Sequence, residues 1–144
     1  MIKTVKVKWN GLEKYVDELC DKIAEDCHSL GMTPAEVYKG IYGIPRGGLI
    51  IAVMMSHKLD IKYVDRLNEM YGQRFLVVDD IADTGHTLNK MKAEVFENAH
   101  FATIHYHKDS VVEPDYWVKE KNNDWIIYPW ENVDSKHIQD YKLK

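Results

Sequence analysis

The spacing of apolar residues divides the chain into segments of two different periods. Leu12, Tyr15, Val16, Leu19, Ile23, Cys27 and Leu30 recur at three- and four-residue steps, which predicts an amphipathic helix capped by Asn10 and stopped by Gly31. Ahead of it, Ile2 to Trp9 alternates like a strand, and Thr33-Pro34 carries the cap-plus-proline pattern of a short helical start. Tyr38 to Ile44 reads as a central strand, Leu49 to Leu59 as an apolar helix and Ile61 to Asp65 as the next strand. Phe75 to Val78 is an unbroken apolar run of the kind that a parallel strand buried on both faces needs. Leu88, Met91 and Val95 mark a helix over 88–98, and Phe101 to Tyr106 is a strand of apolar and aromatic residues. Alternating strands and helices predict an α/β fold: a mainly parallel sheet flanked by helices, with ligand loops at the strand C-termini. No repeat or linker interrupts the pattern, so 1–144 reads as one domain, with a core over about 33–108 and a small C-terminal addition at 111–131.

Composition narrows the classes of partner. The chain has 144 residues and a net charge of −4, with a pI near 6.0, a balance that offers nucleic acid or a membrane surface no basic face. The longest apolar run, Leu49 to Met55, is too short to span a bilayer, and the N-terminus lacks a signal peptide's continuous apolar core, so the cytosol is the default location. Cys20 and Cys27 lie two helical turns apart, about 10 Å, beyond disulfide reach, and read as core-facing thiols. His105 and His107 share a strand face, yet no third ligand stands at metal-site spacing, and a polar strand edge accounts for them.

Chemistry concentrates in Phe75 to Leu88, FLVVDDIADTGHTL. The buried run leads into Asp79 and Asp80, then into a small, polar turn, Asp83-Thr84-Gly85-His86-Thr87, that opens a helix. Unpaired N–H groups at a helix N-terminus bind anions, so Thr84 to Thr87 suit a phosphate monoester. The two carboxylates would repel that phosphate if they faced it; they suit a ribose diol or a Mg²⁺ ion instead. A strand ending in a solvated acidic turn with an ordinary threonine cap is the plainer alternative. A second turn, Ile44-Pro45-Arg46-Gly47-Gly48-Leu49, is glycine-rich, and its arginine fork matches phosphate oxygens, although a plain strand-to-helix turn would look the same.

Taken jointly, the apolar strand, two acids, two spacers and D-T-G-x-T resemble the phosphoribosyl-pyrophosphate (PRPP) motif of the type I phosphoribosyltransferases. The resemblance implies that family's fold with a C-terminal hood segment. It also implies ribose and Mg²⁺ contacts from Asp79 and Asp80, a 5-phosphate loop at Thr84, Gly85, His86 and Thr87, and Asp83 as the proton-handling catalytic acid or base. Arg46 and Gly47 would contact pyrophosphate, in a loop that in the family often contains a non-proline cis peptide. The family usually pairs as a homodimer or homotetramer across the face carrying this loop, where Tyr42, Leu49, Met54 and Met55 offer apolar contact. The sequence departs from the family between strands: residues 66–73 leave eight positions, an out-and-back reach of about 14 Å, so a short lid or none is expected in place of a long mobile loop.

The C-terminal addition has Pro114-Asp115-Tyr116, then Trp125-Ile126-Ile127-Tyr128-Pro129-Trp130-Glu131. Its tryptophans would ordinarily be core packing. The pattern also resembles the purine branch of the family, the xanthine-guanine and hypoxanthine-guanine phosphoribosyltransferases. That likeness implies Trp125 stacking on the base, the Ile126 backbone reading its edge, and a 6-oxo donor at His107 or, after a one-residue slip, at Lys108. The implied reaction joins a purine base to PRPP. A PRPP- or nucleotide-binding regulator that kept the fold and lost turnover is the alternative, favoured by the shortened lid because an open site admits water.

Overall fold

The computed structural model describes residues 3–94 and 98–132. The elements in chain order are β1 (Thr4–Lys6), α1 (Trp9–Ser29), α2 (Pro34–Val37), β2 (Ile41–Gly43), α3 (Gly47–Leu59), a 3-10 turn (Leu67–Met70), β3 (Phe75–Ala82), α4 (His86–Glu94), β4 (Ala99–His107), β5 (Lys119–Lys121) and β6 (Trp125–Ile127). The order β2-β3-β4-β5 forms a four-stranded sheet, parallel throughout, and β1 pairs with β6 in a separate parallel ribbon. This is the α/β architecture expected from the alternating pattern, with the ribbon as the hood.

Strand β3 is the axis. Phe75, Leu76, Val77 and Val78 are all fully buried because alternate residues feed opposite cores. Leu76 and Val78 pack with α1 and α3 residues such as Leu19, Ile51 and Met55, whereas Phe75 and Val77 pack with Leu88, Phe101 and Met70. Each such side chain contributes about 1.5–3 kcal/mol of burial free energy. The strand runs on to Ala82, four residues beyond the apolar run, so Asp79 and Asp80 are its fifth and sixth residues; past them the alternation breaks, since Ile81 packs with the cluster of Leu76 and Val78, and Ala82 with that of Phe75 and Val77.

Local signals read from the sequence hold at several ends. Gly31 follows α1 at φ +71, and Thr33 and Glu36 form a reciprocal capping box on α2. Helix α1 instead begins at Trp9, so Asn10 lies inside it rather than capping it, its side chain accepting from the next amide, Gly11 N–H. The strand expected at 61–65 reduces to a single bridge, Tyr63 to Ile41, because β2 is only three residues long and gives it little edge to pair with. Met55 is fully buried and belongs to the core rather than to a subunit contact. Val95 of the α4 pattern lies outside the described residues. Cys20 and Cys27 are free, buried thiols, and burial pushes Cys20 up to about 12. No helix among the described residues is long and apolar enough to cross a membrane.

The connection 66–73 is held down. Its 3-10 turn inserts Met70, 5% exposed, beneath Gly40, where an added Cβ would strike the Met70 sulfur. Tyr71 is left outside at 72% exposure as the tip of a short projection. Past β4, the segment leading to β5 is tied to α1 by Tyr116, which donates to Asp26 (2.8 Å), and by Lys22 Nζ, which donates to the Trp117 carbonyl (2.8 Å).

Candidate functional site

The ends of β2, β3, β4 and β5 lie side by side because the sheet is parallel, and the loops that leave them converge. After β2, the peptide between Pro45 and Arg46 is cis, as the family likeness implied, and Arg46 occupies the cap position of α3. The two following glycines are dictated by contact. A Cβ on Gly48 would collide with the Val78 carbonyl, and one on Gly47 would collide with the Asp80 carboxylate. These glycines therefore let the start of α3 rest on the β3 backbone and bring the Arg46-Gly47 loop against Asp80, 33 residues away in sequence.

Asp79 and Asp80 are 8% and 9% exposed, and the Asp79 carboxylate accepts the Asp80 N–H (2.9 Å). Asp80 faces the start of α3 and the glycine loop. The turn beyond is built as a cup. Gly85, at φ +83, has its would-be Cβ position filled by Ser110 Oγ and the Val111 and Val112 amides, and Val111 N–H donates to the Thr84 carbonyl (2.9 Å). Thr84 Oγ1 accepts from His86 N–H (3.3 Å), Thr87 is buried, and α4 begins at His86, so the amides of this turn gather at the helix N-terminus. Asp83 stands at the rim, its side chain 47% exposed, and accepts from Lys121 Nζ at 2.8 Å.

The hood is joined to this centre through Tyr128. Its hydroxyl, fully buried, donates to the Asp80 carbonyl (3.2 Å) and accepts from His105 Nδ1 (2.7 Å). Burial drives the Tyr128 hydroxyl well above its ordinary pKa, and the carboxylates of Asp80, Asp79, Glu131 and Asp83 push the same way. His105 is held neutral to about 4 by burial, reinforced by the charges of Lys119 and Lys121. Trp130 stacks on Tyr128 with ring centroids 5.1 Å apart and also meets Trp9, so this tryptophan of the C-terminal motif is structural. Trp125 is 39% exposed on β6. Its N–H donates to the Lys3 carbonyl while Val7 N–H donates to the Ile127 carbonyl, so the alternation of a ladder points the Ile126 backbone groups away from β1.

The remaining base-site candidates part company. His107 is buried with both ring nitrogens engaged: Nε2 donates to Asn123 Oδ1 (3.1 Å) and Nδ1 accepts Asp109 N–H (3.0 Å). Lys108 is exposed on the turn after β4. Lys121, Tyr128, His105 and Asn123 were not legible as site residues, since each acts across strands through partners far away in sequence.

The donor set suits a hard cation. Mg²⁺ takes oxygen ligands, commonly one or two carboxylates with water and substrate phosphates completing the shell, and an adjacent pair of acids beside a turn of amide and hydroxyl donors matches that demand. Among the described residues, no cluster of three His, Cys, Asp or Glu side chains offers an all-protein cage.

Residues 65–134 match the phosphoribosyl transferase domain family. The purine phosphoribosyltransferase of Pyrococcus horikoshii superimposes with a TM-score of 0.74 at 26% identity, covering 95% of this chain and 99% of that one. The Helicobacter pylori xanthine-guanine-hypoxanthine phosphoribosyltransferase superimposes at 0.69 with 18% identity over 89% and 94%. A hypothetical protein from Neisseria gonorrhoeae with bound ppGpp gives 0.70 at 20% identity over 93% and 92%.

Proposed function

The chain is a phosphoribosyltransferase by domain and type I fold, and from that premise we propose that it transfers the phosphoribosyl group of PRPP to a purine base, giving the nucleoside 5'-monophosphate and pyrophosphate. The observation that carries this reading is the convergence of two loops at the end of β3: the Arg46-Gly47 loop rests against Asp80, and the Asp83–Thr87 cup opens the next helix. In the reaction the bond from the anomeric carbon to pyrophosphate breaks, the bond to the base nitrogen forms, and the base gives up a proton.

The chain's residues divide that work. Thr84, Gly85, His86 and Thr87 bind the 5-phosphate through amides and hydroxyls, and Asp79 and Asp80 take the ribose hydroxyls. Arg46 and Gly47 hold the leaving pyrophosphate. Mg²⁺, when bound beside Asp79 and Asp80, neutralises pyrophosphate charge. Asp83 meets the imidazole edge of the base and exchanges its proton, while Trp125 stacks on the ring and Ile126 presents backbone groups to its edge. An oxocarbenium-like transition state asks the protein for positioning and charge more than for covalent chemistry, and a preorganised cup supplies both. A 6-oxopurine is the base class we assign. Two buried, reduced thiols suit a cytosolic enzyme.

The pinned-down 66–73 connection favours a second reading, a non-catalytic PRPP- or nucleotide-binding regulator, and the ppGpp held by the Neisseria gonorrhoeae protein fits the same reading. A spectrophotometric screen of guanine, xanthine, hypoxanthine and adenine with PRPP and Mg²⁺ separates the two. The enzyme reading expects nucleotide formation, reduced roughly 10²–10⁴-fold in Asp83→Asn with PRPP affinity nearly unchanged. Binding of nucleotide or PRPP with no turnover of any base supports the regulator.

A further inference from the structure

Lys121 touches the acid at the rim of the site although nothing in the local sequence marks it. Its Nζ lies 2.8 Å from Asp83 Oδ2, and its side chain is only 9% exposed while that of Asp83 is 47% exposed. The ammonium is thus enclosed by the end of β5, and the carboxylate is the open half of the pair. Strand register places Lys121 directly beside His107, the last residue of β4. That is the level at which the family likeness implies a donor to the base, yet the His107 ring is committed to Asn123 and Asp109, and Lys108 lies on an exposed turn.

A carboxylate beside an ammonium offers an acceptor and a donor about one hydrogen bond apart. On the edge of a purine, N7 and the substituent at carbon 6 are adjacent in the same way. A 6-oxopurine with its proton on N7 presents donor then acceptor, complementary to Asp83 then Lys121. A 6-aminopurine places N–H groups against the ammonium, and an enclosed cation left facing a donor is poorly satisfied. Lysine and arginine pair with the oxo-purine edge for this reason, whereas amide side chains, which can also accept, pair with the amino-purine edge. Resting on the purine reading above, we infer that Lys121 is the specificity-determining residue of the base site and selects bases with a carbonyl beside N7 over those with an amine. The donor therefore comes from β5, on the far side of β4 from Asp83.

The test compares hypoxanthine with adenine at saturating PRPP and Mg²⁺ in the wild type, Lys121→Gln and Lys121→Arg, and measures IMP and AMP binding to the same three proteins by calorimetry. Wild type favours the oxo compounds in both assays. In Lys121→Gln the hypoxanthine-to-adenine ratio of kcat/KM and the IMP-to-AMP affinity ratio fall about 10- to 100-fold. The KM for PRPP stays within about twofold, and Lys121→Arg keeps most of the preference. Unchanged ratios in a folded Lys121→Gln protein, or a wild type that prefers adenine, overturn the assignment while leaving the purine reading intact. A wild type that neither turns over purines nor binds purine mononucleotides refutes the purine reading itself, and this inference with it. If turnover alone is absent, the affinity ratios decide.

Discussion

Acid should loosen the joint between hood and sheet through one side chain. His105 is 3% exposed and lies between Tyr15 and Tyr128. Burial, with the charges of Lys119 and Lys121, lowers its pKa from 6.5 to about 4. In the unfolded chain the imidazole takes up its proton near the ordinary value; in the folded chain it resists until about 4. The unfolded state therefore binds more protons throughout that window, and stability present above pH 6.5 is lost as pH falls toward 4. The full effect is about 3 kcal/mol, of which about 2 kcal/mol is already gone at pH 5. Urea unfolding at pH 7 and pH 5 on wild type and His105→Gln measures it. Glutamine retains a polar partner for Tyr128 but does not titrate. The variant should be weaker by about 1 kcal/mol at pH 7. The wild type should then lose about 2 kcal/mol more than the variant on moving to pH 5, since other titrating groups cancel in the comparison. Parallel losses in the two proteins would refute the reasoning and show that His105 is protonated in the fold without cost.

Further expectations follow from contacts in the site. Gly47→Ala should weaken PRPP binding by about 1–3 kcal/mol, read by calorimetry, because the new methyl displaces the Asp80 carboxylate; an unchanged affinity would remove Asp80 from the sugar site. Trp125→Ala should weaken base binding by about 1–3 kcal/mol and spare PRPP, whereas equal loss of both would mark the indole as a structural residue. Sedimentation should find a homodimer or homotetramer, with Tyr42, Leu49 and Met54 and the 44%-exposed Val53 supplying apolar contact, and a base-free assay should find slow release of pyrophosphate past the short 66–73 lid. A monomer with no leakage would contradict both.

The sequence by itself determined the parts whose cause is local. An apolar run followed by acids and a D-T-G-x-T turn specifies a buried strand feeding a helix N-terminus, and the chain folds so from Phe75 to Glu94. Gly31 after α1 and the Thr33–Glu36 box were legible for the same reason, since backbone geometry within a few residues dictates them. Tertiary structure decided whatever depends on pairing across the chain. Residues 61–65 have a strand's composition but find only one bridge, while Lys119–Lys121, with no apolar signal at all, joins the sheet because β4 extends far enough to pair with it. The burial of Asp79 and Asp80 needed β3 to continue past Val78. The Asp83–Lys121 pair spans 38 residues, and no periodicity records a contact made by the register of two strands. Hydrophobic pattern encodes which face of an element is buried; which polar groups then meet at the sheet's edge is set by strand order, and strand order exists only in the folded molecule.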